Sequence, residues 1–182
     1  IAVNGNIIKA KFEAQDGDSG IGSVKIKVGD TDFTTNSVTA TKIADYYEVE
    51  IDTSTLVDGT TQNVNLEVTD NVQNRITTNV FQLAVDKTKP VINFTNPGTS
   101  GEVTVNKTIT VSGNASDNNI VSSVKVEYSK DNSTWTTATT TGNVYNWATE
   151  IDTTKYDTDA TGLGTLYLRA SATDEAGNVS EY

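Results

Sequence analysis

Tyr47-Glu48-Val49-Glu50-Ile51-Asp52-Thr53 and Trp147-Ala148-Thr149-Glu150-Ile151-Asp152-Thr153 decide the fold. In the first, Tyr47, Val49 and Ile51 alternate with Glu48 and Glu50. In the second, Trp147, Thr149 and Ile151 alternate with Ala148 and Glu150. A period of two sends one set of side chains to one face of an extended strand, so each stretch reads as a half-buried β-strand. The second stretch also repeats the first about 100 residues later, and self-similarity at a fixed spacing marks a repeated structural unit.

Other landmarks recur in the same order. Ala14-Gln15-Asp16 aligns with Ala115-Ser116-Asp117, and Ile21-Gly22-Ser23-Val24-Lys25-Ile26 with Val121-Ser122-Ser123-Val124-Lys125-Val126. Thr69-Asp70-Asn71-Val72-Gln73-Asn74 aligns with Thr173-Asp174-Glu175-Ala176-Gly177-Asn178. Between the landmarks, short alternating runs centred on Ala10, Val24, Leu66 and Leu83 in copy one, and on Val111, Val124 and Leu168 in copy two, are separated by turn-forming clusters. The fold expected is all-β: two tandem antiparallel β-sandwiches of an ordinary size for that architecture, joined by a short extended linker.

The expected boundary falls after Val85, giving domains 1–85 and 86–182, with Asp86-Lys87-Thr88-Lys89-Pro90 as the joint. Pro90 lacks an amide hydrogen and suits a strand start or edge, and Lys89 is biased to extended backbone before it. Such a joint is expected to give a beaded rod. Copy one has no counterpart of the strand after the joint, and copy two ends soon after Asn178. The first strand of domain 1 and the last strand of domain 2 are therefore expected to be missing, as in a fragment of a longer array. Such gaps leave unpaired sheet edges, which invite strand exchange.

Composition narrows function by exclusion. The net charge of −11 argues against nucleic acid and against an anionic membrane surface, because both recruit cationic side chains. With no His and no Cys, the usual neutral-pH base, disulfides, thiolate nucleophiles and Cys-based zinc sites are all absent. No apolar run is long enough to cross a membrane as a helix. The acidic residues are spread over turns and outward strand faces rather than paired in a cleft, so no enzyme is expected. Lys9, Lys11, Lys25 and Lys27 take the outward phase of their strands, which leaves no inward lysine for an internal crosslink. Trp147 takes the inward phase and is expected in the core; Trp135 comes after the turn-like Lys130-Asp131-Asn132-Ser133-Thr134.

The set Val85-Asp86-Lys87-Thr88-Lys89-Pro90, Gly113-Asn114-Ala115-Ser116-Asp117, Ile120 to Val126, Trp147 and Ala172 to Asn178 resembles the bacterial immunoglobulin-like tandem repeats of surface adhesins and cell-wall proteins. Copy one departs from that pattern with Tyr47 for the tryptophan and Asn71-Val72-Gln73-Asn74 in its last turn. The resemblance implies an immunoglobulin-like sandwich, extracellular display at the cell surface, and a spacer or adhesive role. The partners it implies are neighbouring repeats of the same chain and a host or cell-surface glycan or protein. Two alternatives stand beside a non-enzymatic spacer. One is a glycan- or protein-binding adhesion module; the other is an accessory domain of a secreted polysaccharide-degrading enzyme or an S-layer protein.

In that topology the turn after the second strand and the turn after the sixth share one pole, beside the linker. In copy two the pole would gather Asp86, Asp117, Asn118, Asp174 and Asn178; in copy one, Asp16, Asp18 and Asp70. Calcium takes several oxygen ligands from carboxylates, amides and carbonyls, so Ca2+ is the one cofactor these residues suggest. The competing and commoner use of Asp and Asn in such places is to cap the backbone of their own turns.

Overall fold

A computed structural model describes residues 1–98, 104–105, 107–155 and 164–180. The protein is built of β-strands with one short 3-10 turn at Thr153–Lys155 among the described residues. It divides into two units, Ile1–Lys87 and Thr88–Tyr182. The division falls two residues beyond the expected one because Asp86 and Lys87 are tied into the first unit. The Asp86 amide donates to Val3 O at 2.8 Å. The Lys87 amide donates to Asp58 Oδ1 at 2.7 Å, and its Nζ donates to Ser54 O and Leu56 O at 2.8 and 2.7 Å.

The first unit holds β1 (Ala2–Val3), β2 (Ile7–Phe12), β3 (Ile21–Val28), β4 (Val38–Thr39), β5 (Thr41–Ile43), β6 (Tyr46–Asp52), β7 (Thr61–Asp70) and β8 (Arg75–Val85). One sheet runs β1-β8-β7-β3-β4 and the other β2-β6-β5. All pairs are antiparallel except β1 with β8, which is parallel. Their inward faces meet in one core containing Val24, Ile26, Val49, Ile51, Val64, Leu66 and Leu83. The alternation read from the sequence is the cause: in β6, Tyr47, Val49 and Ile51 are buried while Glu50 is exposed.

The second unit holds β9 (Val91–Asn96), β10 (Thr108–Ser116), β11 (Val121–Ser129), β12 (Thr136–Ala138), β13 (Thr141–Asn143), β14 (Asn146–Asp152) and β15 (Tyr167–Asp174). Its sheets run β13-β14-β10-β9 and β12-β11-β15. Trp147 lies at the centre of its core with Val111, Val126, Ile151 and Ala170, and meets Phe94 edge to face at 5.5 Å between ring centroids. Residues 181–182, beyond β15, lie outside the described residues.

The two units are copies at the level of register. Ile8 pairs with Ile51 and Ala10 with Val49; Ile109 pairs with Ile151 and Val111 with Thr149. Both copies carry a register break at the start of the third strand, between Ile21 and Ser23 and between Val121 and Ser123. A bulge adds one residue to one strand and re-aims the residues after it, so its recurrence fixes the same turn geometry twice.

One rung exchanges volume between the copies. Phe12 faces Tyr47 in the first unit, and Gly113 faces Trp147 in the second. A Cβ on Gly113 would lie 2.2 Å from Trp147 Cζ2 and 2.1 Å from Asn93 O. The indole therefore occupies the space that a side chain on its cross-strand neighbour would need.

Lys27 adds a feature that strand phase does not carry. It keeps the outward phase of β3, yet it is only 6% exposed. The segment after β3 folds over it, and its ammonium donates to Asp32 O at 3.0 Å and Thr35 O at 2.5 Å, with Asp30 Oδ1 at 3.4 Å. Its cross-strand partner Asn65 closes the same segment by donating to Asp30 O at 2.8 Å. In the second unit the equivalent rung is Glu127 with Arg169. There Arg169 donates to Glu127 Oε2 at 2.9–3.0 Å and lies 4.1 Å over the Trp135 ring.

Candidate metal centre

The pole where the turns meet is built the same way in both copies. In the first unit the Asn71 amide donates to Gly20 O at 3.1 Å; in the second the Glu175 amide donates to Ile120 O at 3.0 Å. These bonds tie the turn ahead of the third strand to the turn behind β7 or β15. The two turns thus share one end of each sandwich, as the topology expected from the sequence requires.

The turn behind β7 and the turn behind β15 are each closed by an aspartate and an asparagine four residues later. Asp70 Oδ1 accepts from the Asn74 amide at 2.8 Å and Oδ2 from Asn74 Nδ2 at 2.7 Å. Asp174 Oδ1 accepts from the Asn178 amide at 2.8 Å and Oδ2 from Asn178 Nδ2 at 2.7 Å. The same turn needs a left-handed residue ahead of the asparagine: Gly177 at φ 89° in copy two, but Gln73 at φ 74° in copy one. Glycine adopts that region without a Cβ penalty, whereas glutamine does not.

In the first unit two of the three expected ligands, Asp16 and Asp70, cap their own turns. Asp16 Oδ2 accepts from the Ser19 amide, the Ser19 hydroxyl and the Gly20 amide at 2.6–2.9 Å. Burial alone would raise the Asp70 carboxyl, but hydrogen bonds from Asn74, Ser19 and Val72 outweigh it and hold it below the ordinary range. Asp18 is exposed. Among the described residues these three do not come together as a group of carboxylates.

In the second unit the arrangement differs. Asp117 lies just after β10 and Asp174 ends β15, and a carboxylate oxygen of each lies within 4.8 Å of the other. Asp174 is only 2% exposed. Asp117 Oδ2 accepts from the Asn119 amide at 2.8 Å, while its Oδ1 is shut off from solvent with no hydrogen-bond partner among the described residues. Two ionised carboxylates at that separation repel by roughly 3 kcal/mol at an effective dielectric near 20. Asn178 is half-buried beside Asp174, and Asn118 is exposed on the Asp117 turn. Asp86 is buried at the end of the first unit.

Trp147, expected in the core, is there at 2% exposure. Trp135 is half-buried, with one face of its ring covered by the Arg169 guanidinium. The sequence reading missed that stack; a lone Arg on the outward phase of β15 was its only signal.

Residues 90–162 match the family model of a bacterial Ig domain. Among solved structures, the fibronectin(III)-like modules of CbhA from Clostridium thermocellum are 18% identical, over 99% of this chain and 83% of that one, with a TM-score of 0.49. A tetra-tandem repeat from the extending region of a large adhesion protein is 24% identical, over 96% of this chain and 47% of that one, with a TM-score of 0.39. A chimeric titin Z1Z2 is 13% identical over 99% and 87%, also at 0.39. No curated protein matches the chain.

Proposed function

We propose that this chain is a non-enzymatic, extracellular spacer of a bacterial surface protein, with a Ca2+ site that stiffens the end of its second unit. The observation that carries the spacer reading is the independent construction of the two units: each has its own pair of sheets and its own core. A module that buries its own core can be strung in series, because its stability does not depend on its neighbours. The match of residues 90–162 to a bacterial Ig domain supports surface display. The net charge of −11 keeps such modules soluble and mutually repelling. No helix among the described residues is long and apolar enough to cross a membrane.

The calcium reading rests on Asp117 and Asp174. Two carboxylates within 4.8 Å, one of them with an enclosed and unmatched oxygen, form an arrangement that a hard divalent cation would relieve. Asn118 and Asn178 are the further ligands we assign to it; Asp16 and Asp70 serve their turns. Calcium titration tests this by calorimetry and by thermal unfolding monitored through tryptophan emission. The melting temperature of the second unit rises with Ca2+ and falls back with chelator, and proteolysis between residues 86 and 90 slows. Asp117→Asn removes both effects. An unchanged melting temperature in excess calcium refutes the metal reading and leaves the spacer reading in place. The spacer reading itself predicts two separate unfolding steps when the chain is pulled from its ends, and a single cooperative step would end it.

A further inference from the structure

We infer that the outward face of β3 and β7, beside the turn after β7, holds a binding site for a sugar acid: a single ring carrying hydroxyls and one carboxylate. A cavity of about 320 Å³ opens there, lined by Ser23, Lys25, Glu67, Thr69, Gln73 and Arg75. That volume lies at the small end of the range for small-molecule sites and suits one ring. Glu67 is buried, and the exposed Arg75 guanidinium lies 4.0 Å from its Oε2. Among the described residues the half-buried Lys25 ammonium has no ion-pair or hydrogen-bond partner, and neither have the Ser23 and Thr69 hydroxyls. The cavity thus presents two cations next to a carboxylate and two uncommitted hydroxyls. The cations suit a ligand carboxylate, while Glu67 accepts from ligand hydroxyls and repels a sulfate, which brings no donor. A molecule bearing both groups uses the whole set, whereas a neutral sugar leaves the cations unused.

The second unit has a different set at the same register. Lys25 pairs across the strands with Glu67 and Thr69 with Arg75; Lys125 pairs with Ser171 and Thr173 with Val179. The buried carboxylate and the second cation are therefore replaced, and the Lys125 ammonium is neutralised by Glu127 Oε1 at 2.6 Å. Backbone strain points to the same place. Gln73 lines the cavity at φ 74°, in the position where the second unit uses Gly177. Glycine would close that turn at lower cost, so the glutamine amide is kept at the cavity against the preference of its backbone, and such departures cluster at ligand sites. The other acid of the lining, Asp70, has both oxygens engaged by Val72 and Asn74.

The test titrates glucuronate into the intact chain and follows backbone amide shifts by NMR, with glucose, acetate and sulfate as controls. The expected result is a saturable shift confined to residues 22–25 and 67–75, which none of the controls reproduces. Lys25→Ala weakens glucuronate binding by about tenfold or more, the loss of one charge-assisted contact. Lys125→Ala leaves it unchanged. Gln73→Gly weakens it by about threefold or more without lowering the melting temperature, so the loss does not come from unfolding. Methyl glucuronide bound as well as glucuronate places the site on the end unit of a glycan, and binding of glucuronate alone restricts it to free sugar acids; either result upholds the site. The inference is overturned if glucuronate gives no saturable response, or if glucose, acetate or sulfate matches it. It is also overturned if Lys25→Ala binds as tightly as the parent, or if Lys125→Ala weakens binding as much.

Discussion

Gly113→Ala is the substitution on which the second core is most exposed to test. The added methyl would sit 2.1 Å from Asn93 O, 2.2 Å from Trp147 Cζ2 and 2.7 Å from Trp147 Cε2. Ordinary carbon contacts lie near 3.5–4.0 Å, so each neighbour must retreat by more than about 1 Å. Neither neighbour is the free end of a flexible side chain. One is a backbone carbonyl of β9; the other is an indole held by Phe94 and the buried residues around it. Overpacking a close-packed site costs typically about 1–3 kcal/mol, and a clash that engages both backbone and a buried ring belongs at the upper end, near 3 kcal/mol. For a domain of this size that lowers the melting temperature by roughly 12–24 °C. The assay is selective, because both tryptophans, Trp135 and Trp147, belong to the second unit. Thermal or urea unfolding monitored by tryptophan emission therefore reports on that unit, while the first unit's transition, measured by circular dichroism, stays in place. Pairing the change with Trp147→Tyr, which moves the rung toward the Phe12–Tyr47 arrangement, recovers part of the loss. A Gly113→Ala chain melting within about 3 °C of the parent, less than 1 kcal/mol by the same scaling, would refute the packing argument.

Further expectations concern backbone, buried charge and pH. Gln73→Gly places glycine where copy two has Gly177 and raises the first unit's stability by about 0.5–1 kcal/mol in denaturant unfolding; a loss would show that Gln73 is not strained. Lys27→Met keeps the aliphatic stem but removes the donor to Asp32 O and Thr35 O, and costs the first unit about 1–3 kcal/mol, with faster exchange across residues 30–37. Asp131 is held well below the usual carboxylate range by the Thr134 and Ser133 amides and the Ser129 hydroxyl, and Asp152 is lowered by the Thr154 hydroxyl and amide. Asp52 is lowered by Ser54 and Asp32 by Thr34, in each case through hydrogen bonds from side chain and amide. Carboxyls lowered by folding contribute stability above their unfolded value near 3.9 and lose it as pH falls through the folded value. Melting temperature should therefore be level with respect to these groups from neutrality to about pH 5 and decline below about pH 4. Asp131→Asn should shrink that acid loss in the second unit.

The sandwiches were legible because their cause is local and periodic. Alternation in Tyr47 to Ile51 and Trp147 to Ile151 results directly from one face being buried, and the recurrence of the landmarks in one order from the shared register. The short strands β4, β5, β12 and β13 were not legible, since two or three residues carry no period and their pairing is fixed by neighbours. The burial of Lys27 was not legible because phase in a strand tells which face a residue takes, not whether the segment that follows covers that face. At the pole, residue types alone could not separate Asp16 and Asp70, which cap their turns, from Asp117, which keeps an enclosed oxygen unmatched. The difference lies in how many amides each turn aims at its carboxylate. The exchange of Phe12–Tyr47 for Gly113–Trp147 had a signal in the aligned sequences, but its meaning required the cross-strand register.

That rung also constrains how tandem genes of this kind can recombine. Unequal crossing-over splices the front of one copy to the back of another at matching positions, and the common register keeps the strands aligned wherever the break falls. A break between the codons of the two rung members would bring Phe12 against Trp147, or Gly113 against Tyr47. The first pairing overfills the rung and the second leaves a void. Viable hybrids must inherit both members from one parent, so this stretch should pass between modules as an undivided block.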